Sequence, residues 1–198
     1  MANEYTTLPL LKSYINETTS SNDSLLQQCL TSASRAIDSY CGRRFYVDTN
    51  VTTRTYRIDD RVVCDTDGDL LIVDDISTTT GLVVEVGSGS SWSTVTDYDT
   101  EPDNAIALGK PITYLRRQYN SWATSSRAKV RVTAKFGFPA VPDEVVQATL
   151  LQAARLFKRK DSVGGVLGAD QFGASIRVSR IDSDVQALLR PFVIQAIG

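Results

Sequence analysis

Two stretches of the chain carry apolar residues at the spacing of an amphipathic helix. The first follows Asn22 and Asp23, either of which can cap a helix, and it ends at Gly42, a residue type common just after a helix. The second is opened by Pro142 and ends in the basic run 158–160. Neither helix can bury its apolar stripe alone, so the pattern predicts that the two pack on each other. Their apolar positions are Leu26, Cys29, Leu30, Ala33, Ile37, Tyr40 and Cys41 in the first helix and Val146, Leu150, Ala153, Ala154 and Phe157 in the second.

Between these helices the hydrophobic pattern changes from helical spacing to the alternation of strands. Short runs rich in β-branched residues, separated by turn residues, predict strands at 54–58, 70–73, 82–86, 105–108, 112–115 and 129–134. Strands this short and this closely spaced are typical of a small antiparallel sheet or sandwich. The sequence therefore predicts an α+β fold, in which the N- and C-terminal helices form a small helical bundle and an antiparallel β-sheet or sandwich region is inserted between them.

The pattern divides the chain into four parts. Residues 1–50 form the N-terminal helical part of the bundle, 51–137 the β-rich insertion, and 138–160 the back helix of the bundle. Residues 161–198 form a flexible glycine-rich loop followed by a C-terminal segment.

The C-terminal segment is apolar on both sides of Pro191, and Asp182 or Ser183 can cap a short helix within it. A short apolar helix behind a flexible stretch often docks into a groove on a partner. Packing back on its own domain is the alternative, and the sequence leaves both open. The apolar candidates for docking are Val185, Leu188, Leu189, Phe192 and Ile194.

The composition lowers the expectation of catalysis. The 198 residues include no histidine, which is the commonest general base and metal ligand. Counted from Asp65, the acidic run places Leu70 and Ile76 where an EF-hand calcium loop requires glycine and glutamate. The run Gly164–Gly168 lacks the dinucleotide fingerprint. The sequence predicts a non-enzymatic protein without a cofactor or metal; the alternative is a carboxylate- or metal-dependent hydrolase around Asp59–Asp75.

The charge balance argues against a dedicated nucleic-acid binder, because 21 Lys and Arg face 23 Asp and Glu, a net charge of -2. Basic groups at Arg43–Arg44, Arg116–Arg117 and 158–160 can touch phosphates in passing. The alternatives are a solvated surface, complementation of charge at helix ends, or ion pairs across a subunit boundary. No run approaches the ~20 apolar residues that span a bilayer, so no membrane partner is expected.

Four segments, in this order along the chain, resemble the head–tail connector, or head-completion adaptor, proteins of long-tailed bacteriophages. They are Thr7-Leu8-Pro9-Leu10-Leu11-Lys12-Ser13-Tyr14; the helix from Asp23 that ends in Tyr40-Cys41-Gly42-Arg43-Arg44-Phe45; Val132-Thr133-Ala134-Lys135-Phe136-Gly137 before Val141-Pro142; and the helix to Phe157-Lys158-Arg159. Together they span most of the chain.

The resemblance implies a role in virion assembly. Such adaptors form a dodecameric ring beneath the portal of the DNA-filled head, surround the channel through which the genome leaves, and carry the stopper or tail. It therefore implies a protein of the virion neck that is assembled in the host cytoplasm. Its partners would be the portal protein, a stopper or tail-terminator protein and further copies of itself, with only passing contact with genomic DNA. In isolation the subunit is either a monomer or part of a preformed ring.

The resemblance also assigns candidate residues. Family members commonly engage the portal with their C-terminal segment, which implies portal docking by Val185, Leu188, Leu189, Phe192 and Ile194. Candidates for the subunit interface or the channel wall are Arg43, Arg44, Lys158 and Arg159. The alternative within the same class is a tail-completion or other structural neck protein.

Overall fold

The computed structural model describes residues 3–59, 61–122, 128–159 and 181–194, together with the backbone of two short strands at 166–169 and 175–177. It divides the chain into two compact units, a helical unit made of Met1–Phe45 with Val141–Gly198 and a β unit made of Tyr46–Ala140. Helices and antiparallel sheets are both present, so the predicted α+β class is confirmed. Apart from the two short strands, the glycine-rich loop predicted after residue 160 lies outside the described residues.

The described helices all belong to the helical unit. They are α1 Leu8–Ile15, α2 Asp23–Cys41, α3 Asp143–Lys158 and α4 Ser183–Leu189, and the strands β9 Val166–Ala169 and β10 Ser175–Arg177 pair antiparallel in the same unit. The mutual burial predicted for α2 and α3 is confirmed, because their stripes and Leu11 of α1 share one buried cluster. The buried members are Leu11, Leu26, Cys29, Leu30, Ala33, Leu150, Ala153 and Ala154.

The helix ends follow the capping chemistry of the sequence. Thr7 precedes α1 and its hydroxyl accepts a hydrogen bond from the backbone N–H of Leu10, at 3.4 Å. Gly42 ends α2 with φ +67°, a left-handed conformation that glycine adopts without strain. Pro142 precedes the first turn of α3, which carries Asp143 and Glu144 where the helix dipole favours negative charge. In the described parts of the chain, no helix is long and apolar enough to cross a membrane.

The β unit consists of two four-stranded antiparallel sheets with strand orders β1-β8-β4-β5 and β2-β3-β7-β6. The strands are β1 Thr52–Arg57, β2 Val62–Asp65, β3 Gly68–Ile76, β4 Val83–Ser88, β5 Ser91–Val95, β6 Asp99–Glu101, β7 Ile112–Arg117 and β8 Lys129–Ala134. Alternate side chains of both sheets enter a single buried core, so the sheets pack face to face. The core includes Tyr56, Leu71, Val73, Ile76, Val84, Val86, Val95, Ile112, Leu115, Trp122, Val130, Val132 and Phe136.

The strand predictions fail at specific places. The strand predicted at 105–108 is wrong: Ile106–Leu108 is a turn of 3-10 helix that ends at Gly109 with φ +69°. Three strands, β2, β5 and β6, were not predicted, and each lies at the edge of its sheet. An edge strand buries fewer side chains than a central one, so its apolar alternation is weak. In β2, for example, three of the four residues are exposed.

Gly137 is required by a close approach of two backbone segments in the β unit. Its φ is +119°, and a Cβ built on it would lie 2.0 Å from the carbonyl oxygen of Tyr46. Its N–H donates to the carbonyl oxygen of Asp75 at 2.8 Å. No larger residue fits this position without moving the backbone, and on either side Phe136 and Phe138 are buried.

We expect Leu30→Ala to lower the free energy of unfolding of the helical unit by about 2–5 kcal/mol, because it leaves a cavity at a fully buried position between α2 and α3. Urea unfolding followed by far-UV circular dichroism measures the change. The matched control is Leu10→Ala, because Leu10 is 52% exposed and its loss should change stability by no more than about 0.5 kcal/mol. Equal effects of the two substitutions would contradict the assigned core.

Candidate assembly surfaces

The helix α4 is held on the helical unit by an ion pair and by burial. Asp182 caps α4 as predicted, because one carboxylate oxygen accepts from the N–H of Asp184 at 3.1 Å. The other oxygen pairs with the guanidinium of Arg155 on α3. Val185 and Leu189 are fully buried, and α4 packs against α3. These two candidate docking residues therefore contribute to the core of the helical unit.

The chain after α4 runs to the end of α2. The ring of Phe192 meets the ring of Phe45 edge-to-face at a centroid distance of 5.6 Å. The N–H of Ile194 donates to the carbonyl oxygen of Cys41 at 2.9 Å, while the Ile194 side chain stays 49% exposed. Leu188 and Phe192 are half-buried. Of the predicted docking residues, Leu188, Phe192 and Ile194 therefore keep accessible surface.

Phe45 is fixed from its other side by Tyr5. Their rings also meet edge-to-face, at 5.6 Å and 89°, and the Tyr5 hydroxyl accepts from the N–H of Phe45 at 3.0 Å. The same hydroxyl donates to the carboxylate of Asp38, which Arg35 contacts at 3.1 Å. Sequence reasoning did not select Tyr5, because its partners lie 33 and 40 positions away along the chain.

Burial sets the protonation of this cluster. It raises the pKa of the Tyr5 hydroxyl, and the hydrogen bond to Asp38 adds to that shift. Burial also raises the pKa of Asp38, although the Tyr5 hydrogen bond and the charges of Arg35 and Arg44 act in the opposite direction. Tyr5 therefore remains a neutral hydrogen-bond donor at physiological pH. It contacts Phe45, the residue against which Phe192 packs.

The predicted boundary cations lie at the ends of α2 and α3. Arg43 and Arg44 follow Gly42, with Arg43 half-buried and Arg44 exposed. Lys158 is the last residue of α3 and is exposed, and Arg159 is the half-buried residue that follows. These positions place positive charge at two helix C-termini, where the helix dipole favours it.

The basic pair Arg116–Arg117 of the β unit is neutralised within the chain. Arg116 contacts Asp65 at 2.7 Å and also binds Glu101, and Arg117 contacts Asp97 at 2.7 Å. The hydrogen bond from Arg116 lowers the pKa of Asp65, and that from Arg117 lowers the pKa of Asp97. Arg116 and Arg117 are therefore paired within the chain, which the sequence did not predict.

The carboxylates of Asp65 and Asp69 in the acidic run accept hydrogen bonds from neighbouring segments of the β unit. Asp65 accepts from the N–H of Asp67 at 2.9 Å, and Asp69 accepts from Ser121 at 2.6 Å and from the N–H of Trp122 at 3.3 Å. Across the ranges that the structure describes, no three or more His, Cys, Asp or Glu side chains converge as a metal site. These carboxylates fix the hairpin between β2 and β3 to the segment that follows β7.

Asp74 joins two arginines of the β unit. Its two oxygens contact Arg54 at 2.8 Å and Arg61 at 3.2 Å. Partial burial alone would raise the pKa of Asp74, but the hydrogen bonds from the two guanidinium groups outweigh burial, so that its pKa is lowered. Arg54 also lies 3.8 Å from the ring centroid of Phe136, which connects this ion-pair network to the core.

We expect Tyr5→Phe to destabilise the helical unit by about 1–3 kcal/mol, because it leaves the N–H of Phe45 and the carboxylate of Asp38 without their buried partner. Urea unfolding followed by far-UV circular dichroism measures this loss. Tyr14→Phe is the control, since Tyr14 is exposed on α1 and should tolerate the change within about 0.5 kcal/mol. A Tyr5→Phe protein as stable as the Tyr14→Phe protein would refute the assigned role.

We expect Asp74→Asn to lower the stability of the β unit by about 1 kcal/mol at neutral pH, a value that allows for solvent screening of a partly exposed pair. Because folding lowers the pKa of Asp74, its contribution is present above about pH 4 and is lost as the pH falls through the folded-state pKa. The difference from wild type should therefore shrink in acid.

Tryptophan fluorescence during urea unfolding measures this difference, because Trp92 and Trp122 both lie in the β unit. Asp103→Asn is the control, since Asp103 is exposed and forms no ion pair with any described residue. A difference that stays constant from neutral to acid pH would exclude Asp74 as the titrating group.

Comparison with known proteins gives similarity in fold but not in sequence. No protein-family model matches the chain, and no curated protein matches it. A chain in the neck of an empty gene transfer agent (GTA) particle, solved with C6 symmetry, matches with a TM-score of 0.57 and 17% identity over 100% of this chain and 98% of that chain. A chain in the virion of a native GTA particle matches with a TM-score of 0.51 and 17% identity over 99% and 97%. The chain thus shares its fold, over its whole length, with chains of these particles.

Proposed function

We propose that this chain is a structural, non-enzymatic protein of the neck of a phage-like virion, where it forms a ring-shaped head-to-tail adaptor beneath the portal. The observation that carries the proposal is the fold similarity to a chain of a GTA particle neck, which covers 100% of this chain and 98% of that one. The similarity therefore includes the helices, the inserted β unit and the C-terminal segment together. The segments that resemble phage adaptor proteins support the same function.

A ring around the DNA channel is compatible with the low net charge of the chain. Ring subunits make head-to-tail contacts that close by rotation, and the similar neck chain was solved with C6 symmetry. We infer a dodecameric ring that extends the DNA channel and provides the platform for a stopper or tail-terminator protein. A net charge of -2 suits a conduit through which DNA passes, because a strongly basic wall would retain it.

We further propose that the C-terminal segment docks on the portal protein. Val185 and Leu189 anchor α4 from inside, and the accessible surface of Leu188, Phe192 and Ile194 makes the contact. The cations at the ends of α2 and α3 are proposed to lie at subunit boundaries or on the channel wall. They are Arg43, Arg44, Lys158 and Arg159.

Binding experiments with portal protein and with tail subunits test the proposal. We expect wild-type chain to bind the portal, and Ile194→Asp to weaken that binding at least about tenfold, because it places a charge in an apolar contact. Leu108→Asp is the matched control, since Leu108 is 67% exposed and lies in the β unit. Circular dichroism should show both variants folded.

The two other outcomes are informative. Equal portal binding by the two variants would exclude docking through the C-terminal segment. Binding to tail subunits and not to the portal would replace the adaptor by a tail-completion or other neck protein.

A further inference from the structure

The sheet β1-β8-β4-β5, here called the first sheet, turns one face to the core and the other to solvent. The strand register arranges the outward residues of this outer face in rows across the sheet. One row holds, in strand order, Arg57, Lys129, Gly87 and Trp92. The neighbouring rows hold Thr55, Arg131, Glu85 and Thr94, and then Thr53, Thr133 and Val83.

Two cations on this outer face lie opposite each other, with no neighbouring carboxylate bound to either among the described residues. Arg57 and Lys129 are directly paired positions of β1 and β8, and both are exposed. Among the described residues, neither side chain has an ion-pair or hydrogen-bond partner. Like charges at opposite positions destabilise a sheet. The remaining strand arginines of the β unit, by contrast, all have a carboxylate partner: Arg54, Arg116, Arg117 and Arg131.

The two sheets of the β unit carry opposite charge. The strands of the first sheet contain four cations (Arg54, Arg57, Lys129 and Arg131) and one carboxylate, Glu85. The strands of the sheet β2-β3-β7-β6, here called the second sheet, contain two cations (Arg116 and Arg117) and six carboxylates (Asp65, Asp69, Asp74, Asp75, Asp99 and Glu101). Alternation with the core places Arg57, Lys129, Arg131 and Glu85 on the outer face of the first sheet, and Arg116, Asp65, Asp99 and Glu101 on that of the second. The two outer faces therefore carry opposite net charge.

The outer face of the second sheet has the composition of a protein interface. Alternation with the buried Leu71 and Leu115 places an apolar group on the outside of this sheet. The group consists of Val63, Leu70, Ile72 and Tyr114. Asp99 and Glu101 of the edge strand β6 pair with the outward Arg116 and Tyr114 of β7 and border the group. Arg116 holds Glu101 in an ion pair, whereas Asp99 has no ion-pair partner among the described residues. An apolar centre with a charged rim is the usual anatomy of such interfaces.

The outer face of the first sheet presents a fixed aromatic anchor. The Trp92 indole N–H donates to the carbonyl oxygen of Gly89 at 3.0 Å, and the Arg131 guanidinium lies 4.4 Å from the ring centroid. Two hydrogen bonds of 2.8 Å hold Arg131 on Glu85. Tryptophan and arginine held in one conformation lose little entropy on binding and are enriched among the residues that dominate interface energy.

We infer that the outer face of the first sheet binds the outer face of the second sheet on a neighbouring copy of this chain. Arg57 and Lys129 then meet Asp99 at the acidic rim, and Trp92 meets the apolar group. The inference rests on the proposed ring and names the contact that builds it. A closed ring needs two different surfaces that fit each other, and two opposite sides of one unit provide them.

A second copy fits this face better than DNA does. A phosphate-binding surface needs several uncompensated cations. On this outer face Glu85 lies among the cations, and of these cations only Arg57 and Lys129 have no ion-pair partner among the described residues. The apolar group on the second sheet has no counterpart on DNA, whereas Trp92 and Val83 of a neighbour provide one.

Lys129→Glu tests the inference against the matched control Lys110→Glu, which makes the same charge change at an exposed loop position. Self-association at low salt is measured by analytical ultracentrifugation over a concentration series. We expect Lys129→Glu to weaken association at least about fivefold, Lys110→Glu to leave it unchanged, and added salt to weaken the wild type.

Stability separates this effect from misfolding. Lys129→Glu replaces a like-charge pair with an attractive pair opposite Arg57, so its Tm should equal or exceed that of wild type. On the acidic side, Asp99→Lys should weaken association to a similar extent, and the double variant Lys129→Glu with Asp99→Lys should restore it, because each contact again joins opposite charges.

Several results would overturn the inference. They are a wild-type chain that stays monomeric throughout, equal association by Lys129→Glu and Lys110→Glu, and no effect of Asp99→Lys. Duplex DNA is titrated in parallel, and loss of DNA binding in Lys129→Glu without loss of association would assign the face to DNA. Binding of Lys129→Glu to the portal is measured separately. If Lys129→Glu still binds the portal and still self-associates like wild type, the proposed contact between sheets is wrong and the proposed adaptor function is unaffected.

Discussion

The shared burial of α2 and α3 is the constraint on which the rest of the structure depends. The two helices stand on either side of the entire β unit in the sequence, yet their apolar stripes form one cluster with Leu11 of α1. Closing so long a connection costs entropy that grows only slowly with its length, so a well-packed helix pair tolerates a large insertion. The same pair also provides the surface for α4, through Arg155 and the burial of Val185.

Sequence reasoning succeeded where one local signal sufficed. The period of α2 and α3, Gly42 after α2 and Asp182 before α4 each depend on residues within one or two turns. It failed at the edge strands β2, β5 and β6, because an edge strand leaves much of its surface in water and needs little apolar alternation. It left α4 undecided, since the same apolar stripe fits a groove on its own domain and a groove on a partner.

The ion pairs of the β unit could not be predicted from the sequence for a different reason. Arg116 and Asp65 are 51 positions apart, and Arg131 and Glu85 are 46 apart. Only the strand pairing brings such partners together, so a basic pair such as Arg116–Arg117 looks uncompensated in the sequence although it is neutral in the fold. The fold also shows the converse at Arg57, whose directly opposed neighbour is another cation.

The distribution of these features argues for separate tasks in the two units. The helical unit carries the accessible C-terminal residues Leu188 and Ile194, while the β unit carries opposite charge on its two sheets. A contact that depends on a few exposed charges is weak and sensitive to salt. In a closed ring, however, each subunit makes the contact on both sides, and docking on a common partner raises the effective concentration of its neighbours. In the proposed ring, weak contacts between copies would therefore be strengthened once the C-terminal segment holds each subunit on a common partner.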